Sequence, residues 1–198
     1  PCLGQLPLSL ANHDLVLAAW EGIDPGLTWD SHLHLIGVGD GDTGIRMDSD
    51  MEDPFHPVSY LQRTFYLNAS CANDKGRVDA AFIERLLALH DDMPSGYKSM
   101  LLAFDDCYDE HGRNRADLSA FLTPNNYAQA VAKRFPERLE WIASVHPYRE
   151  DCVEALEAAV AAGARAIKWL PPAQGMDPAS PFCDRFYEAM ARLDLPLL

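Results

Sequence analysis

The sequence predicts an α/β fold, a parallel β-sheet of barrel type with helical cover, on three observations. Short apolar runs alternate with amphipathic segments of helical period along most of the chain, the pattern of repeated strand–helix units. Runs such as Met100-Leu101-Leu102-Ala103-Phe104 are apolar throughout, as strands buried on both faces are. Polar groups collect where the runs stop: Asp30, His32 and His34 first, then Asp105, His146 and Lys168. A parallel barrel keeps its reactive groups at that rim. An open doubly wound sheet would lead from a glycine-rich turn straight into a helix, whereas Gly37, Gly39 and Gly41 lead into a long polar loop.

Residues 1–26 read as an N-terminal extension below the fold, with a short helix over 15–20 capped by Asn12 or Asp14. Residues 27–198 read as the barrel portion. Its first strand lies within 27–41, where Thr28 and Trp29 suit extended chain and Leu33 and Leu35 alternate with His32 and His34. Residues two apart on a strand share a face, so Asp30, His32 and His34 converge. Two neutral imidazoles so spaced can share one divalent metal, with Asp30 orienting a ring or completing the shell. The competing reading is two solvated histidines on an edge strand.

Residues 39–57 form a long polar loop, read as a solvated lid, because its carboxylates lack the glycine and terminal glutamate of a calcium loop. His56 within it is either solvated or turned toward a metal. A short helix is expected over 59–67 and a clearer one over 78–90, where Phe82, Ile83, Leu86 and Leu89 make one face. A strand follows over 99–104. Thr123 is expected to cap a helix with Pro124 at its first position, ended by Pro136. Then come a strand over 139–145, a helix over 150–162 closed by Gly163, and a strand over 164–170. A last helix carries Phe182, Phe186, Met190 and Leu193, and a fifth strand begins at 196.

Composition narrows the function. At 198 residues and 48% hydrophobic content the chain fits one domain with a sizeable core. A formal charge of -14 opposes nucleic acid and anionic membrane surfaces, which recruit clustered cations. The five scattered cysteines, without a Cys-x-x-Cys spacing, read as reduced thiols and therefore as a cytoplasmic protein. No apolar run reaches the length of a membrane span, and the first residues lack the pattern of a signal peptide, although a processed leader before Pro1 stays open.

The segment Asp30-Ser31-His32-Leu33-His34, together with Ser144-Val145-His146-Pro147 and the stretch 163–172, resembles the amidohydrolase-related branch of the metal-dependent amidohydrolase superfamily. The likeness covers nearly everything from Leu27 onwards. It implies a distorted (β/α)8, TIM-like barrel of the metal-dependent hydrolase type, of which about the first five strands are present. It implies that His32 and His34 bind a divalent metal, zinc first and manganese second, and that metal-activated water attacks an ester, lactone or amide. Decarboxylation is the alternative within the branch. The remaining metal histidines and the catalytic aspartate are expected beyond Leu198, which makes the chain the N-terminal portion of an enzyme and leaves it no identifiable catalytic residue of its own.

Lys168 is a carboxylated bridge between two metals, a contact for a substrate anion, or a core-edge lysine paired with a carboxylate. Asp30 and Lys168 thus stand as supporting groups or further ligands. His146 and Asp105 are the substrate-binding candidates; His146 equally caps a turn against Pro147, and Asp105 equally just ends a strand. The expected partner is a small-molecule substrate, without nucleic acid or membrane, and a homo-oligomer would cover the open strand edge of a partial barrel. Two other functions compete. A phosphoesterase-type barrel would carry more histidines and acids early in the chain, and a degenerate barrel half would bind a ligand without turnover.

Overall fold

The computed structural model describes residues 7–72 and 74–198. In chain order its elements are α1 (Leu8–Ala11), α2 (Asp14–Ala19), β1 (Trp29–His34), β2 (Arg46–Met47), α3 (Pro57–Ala69), α4 (Val78–His90), β3 (Lys98–Leu102), β4 (Phe121–Leu122), α5 (Asn125–Arg134), β5 (Leu139–Ile142), α6 (Cys152–Ala161), α7 (Pro171–Gln174) and α8 (Asp184–Leu193). The main sheet is parallel, in the order β1-β3-β5. Parallel bridges from Ala143 to Ile167 and from Ile167 to Leu197 carry it through two further positions. Five parallel segments therefore lie side by side in chain order.

The last two segments are single bridges rather than the expected strands over 164–170 and from 196. Proline limits them: Pro171 and Pro172 start α7, and Pro196 has no N–H to donate, so few ladder bonds remain. The sheet is open, with β1 at its edge. The Arg165 guanidinium lies 5.4 Å from the Trp29 ring centre, so these two side chains meet across β3 and β5.

The two faces of the sheet differ because alternate residues point opposite ways. Leu101, Leu139, Trp141 and Ile167 face the helices and join Phe82, Leu86, Leu156 and Phe186 in the main core. Leu102, Ile142 and Ala166, with Met100 against them, form a second, small cluster. Near this cluster Glu140 holds both Lys98 at 3.0 Å and Arg165 at 3.1 Å.

Three local expectations change. Thr123 does not cap α5: it is still in extended pairing with Phe104, and its hydroxyl donates to the Leu35 carbonyl at 3.2 Å, so Pro124 takes the cap position. The polar lid contains β2, which pairs antiparallel with β4. Cys71 is disulfide-bonded, whereas Cys107, Cys152 and Cys183 are free and buried. That corrects the reading of all cysteines as thiols and removes the cysteine argument for a cytoplasmic compartment; Cys2 lies outside the described residues. Spacing could not reveal the bond, which depends on Cα proximity in the fold. Among the described residues no helix is long and apolar enough to cross a membrane.

Candidate active site

The carboxyl end of β1 carries the centre of the site. His32 and His34 are exposed, and their Nε2 atoms lie 3.2 Å apart with ring centres 5.1 Å apart. Two nitrogens each ~2.0–2.1 Å from one tetrahedral ion would be about 3.3 Å apart, so the spacing of the pair matches two positions of a metal shell. The His34 pKa lies below its ordinary 6.5 because the walls around its ring remove water, and because His32 and then Lys168 oppose a second positive charge. A neutral imidazole is the form that offers a lone pair. Lys168, half-buried, is thus the third contributor to that lowering.

Asp30 braces the strand beside the pair. Its Oδ1 accepts the His32 backbone N–H at 2.9 Å, and the β1–β3 register shifts between Asp30 and Leu33, which interrupts strict alternation. The Asp30 charge is felt instead by His90, whose ring bonds Ser99 Oγ at 2.9 Å. Among the described residues no three His, Cys, Asp or Glu side chains are grouped to hold a metal. His56 pairs with Asp53 at 3.2 Å on the exposed lid.

The glycines after β1 serve a structural clasp. Asp79, on the first turn of α4 and almost fully buried, accepts Val38 N–H at 2.6 Å, Gly39 N–H at 3.1 Å and the Thr43 hydroxyl. Asp40 reciprocates, taking Val78 N–H at 2.7 Å and Asp79 N–H at 3.1 Å, and so caps α4 from a distance. A Cβ on Gly37 would overlap the Asp79 carboxylate, and Gly39 sits at φ +80 against the Ile45 carbonyl. The loop that leaves the histidines is thereby pinned. Sequence reasoning missed this clasp; its one signal was an acidic residue in the first turn of a helix, a pattern that macrodipole pairing alone also produces.

His146 and Asp105 lie in the interior. His146 is fully buried; its Nε2–H donates to Gln174 O at 3.0 Å and its Nδ1 accepts Tyr148 N–H at 3.2 Å, with the Tyr148 ring against it. Burial holds its pKa below the usual histidine value. Asp105 accepts His146 N–H at 2.9 Å and pairs with Arg149 at 3.0 Å. Neither residue is brought to His32 and His34; together they tie the ends of β3 and β5. Asp106 pairs with Arg46 and so anchors β2 to the same rim.

A cavity of about 380 Å³ opens beside His34, between the end of β1 and the lid. That is within the ~300–1,000 Å³ of small-molecule sites. Its walls include Ile36, Met47, Met51, Phe104 and Phe121, with Tyr66 from α3 and Thr123 as its hydroxyl groups.

An open parallel sheet with helical cover, a paired-histidine rim and an adjoining cavity define the chain as an α/β protein. The chain belongs to the amidohydrolase family, whose sequence model matches residues 29–198. Members of this family are generally enzymes, hydrolases and decarboxylases among them. No curated protein and no solved structure matches the chain.

Proposed function

We propose that this chain carries the histidine half of a metal-dependent hydrolase site, with His32 and His34 as two ligands of one divalent ion, zinc first and manganese second. The observation that carries the reading is the 3.2 Å approach of the two Nε2 atoms on an exposed rim. A divalent ion bound there would lower the pKa of its water toward ~7 and polarise a substrate carbonyl. The chain's own residues do the rest of what is assigned here. The walls around the His34 ring, His32 and Lys168 all lower its pKa and so favour the neutral form that offers a lone pair. Lys168 supplies positive charge for an anionic group of the substrate. The cavity beside His34 seats a small organic molecule and excludes water from its body.

Decarboxylation is the second reading, and Lys168 favours it, because a lysine whose charge acts on His34 suits a substrate bound through its carboxylate. The test is metal content and turnover of the purified protein beside the His32→Ala, His34→Ala double variant. Bound zinc or manganese lost in the variant supports the reading. Equal metal content in both proteins defeats it.

A further inference from the structure

We infer that the substrate presents an uncharged, carbon-rich group, a ring or a branched chain, to the cavity beside His34, and that Met47, Met51 and Phe121 select for it. The inference rests on the proposed reading of His32 and His34 as the reactive centre and adds the chemistry of the substrate's far end. Apolar side chains dominate the lid side of the cavity: Ile45, Met47 and Met51 from the segment after β1, and Phe121 from β4. Met47 and Phe121 are register partners on the β2–β4 ribbon, and Phe121 packs on Phe104 with ring centres 4.2 Å apart. The wall is therefore preformed rather than assembled on binding, and the Arg46–Asp106 pair anchors the ribbon that bears it.

The two hydroxyl groups of the cavity wall already have partners. The Thr123 hydroxyl donates to Leu35 O at 3.2 Å, and the Tyr66 hydroxyl accepts from Gln62 Nε2 at 2.6 Å. Arg46 of the lid pairs with Asp106, and Arg63, on α3 and outside the cavity wall, lies 3.7 Å from Glu52 with its buried Nε unpartnered among the described residues. Among the described residues no Lys, Arg, Asp or Glu lines the cavity, so a phosphate or second carboxylate pushed into it would lose water with no counter-charge in its wall. Unbranched methionines fit such a wall because they adapt to ring shapes.

The test is a titration of the full chain, labelled with 13C at the methionine methyls, with 1-naphthoate, acetate and inorganic phosphate as probes. The expected result is saturable movement of the Met47 and Met51 methyls by naphthoate, at least ~10-fold tighter than by acetate, with Met93 and Met190 unmoved. Met47→Gln should weaken naphthoate ~10-fold, and Met51→Gln provides a second, independent substitution if either variant folds poorly. Acetate or phosphate binding as tightly as naphthoate, naphthoate moving other methyls only, or naphthoate affinity unchanged in both folded variants would overturn the inference. Zinc binding is followed in parallel. If zinc binding fails in the unaltered protein while naphthoate still enters the cavity, the metal reading falls and the apolar subsite stands.

Discussion

Two histidine-bearing strand ends of this sheet look alike in sequence and behave differently in the fold. After β1, His32 and His34 remain exposed, with their Nε2 atoms 3.2 Å apart. After β5, His146 is sealed in, with both ring nitrogens bonded to backbone groups. The chain beyond each histidine makes the difference. The glycine loop after β1 is drawn away by Asp79, whereas Tyr148 and the turn at Gln174 close over His146. A histidine at a strand end is a candidate ligand only where its ring is left exposed rather than sealed against backbone groups.

The largest effect expected from this comparison is on activity. His32→Ala with His34→Ala should reduce metal-dependent turnover by at least ~10³-fold while changing stability by no more than ~0.5 kcal/mol, as exposed side chains usually do. Turnover assays and thermal melts of the same samples check both halves. His146→Ala should behave in the opposite way. It leaves Gln174 O and Tyr148 N–H without their partner and opens a void, a loss of ~2–4 kcal/mol in urea unfolding, while metal binding persists in the folded fraction. Equal destabilisation by the two changes would break the comparison.

The clasp beneath the pair offers a finer probe. Gly39→Ala puts a Cβ at φ +80 and against the Ile45 carbonyl, so a cost of ~1–3 kcal/mol is expected, read by chemical denaturation. No loss of stability would mean that the loop is not pinned as described. The smallest effect concerns pH. Burial is the first cause lowering the pKa values of both His146 and His90 below the ordinary 6.5. Around His90, Arg138 adds to the lowering while Asp30 and Asp91 oppose it. The unfolded chain therefore binds more protons just below 6.5, and stability is full above that pH and declines as pH falls through the lowered native values. Urea midpoints measured between pH 8 and 5 should show that decline, and His146→Gln should reduce it; a midpoint that rises on acidification contradicts the assignment.

Much of this was legible from local pattern. The helix expected over 78–90 is α4 at the same bounds, and the parallel segments follow in the expected order because each is an apolar run between turn residues. The His-x-His pair was legible because strand alternation alone brings its rings together. What escaped depends on distance. Asp79 and Gly39 meet across 40 positions, and no local period encodes that contact. The two-residue strands β2 and β4 are too short to leave a pattern, and they build the wall of the cavity. His146 carried the same strand-end signature as a reactive residue, and only the packing of Tyr148 and the Gln174 turn distinguishes it.

The measurement that bears most directly on the account is a calorimetric zinc titration of the full chain at neutral pH, repeated on the His32→Ala, His34→Ala double variant and on His146→Gln. The account predicts saturable zinc binding that weakens at least ~100-fold in the double variant and survives in His146→Gln. Zinc affinity that is unchanged when both rim histidines are removed would contradict it.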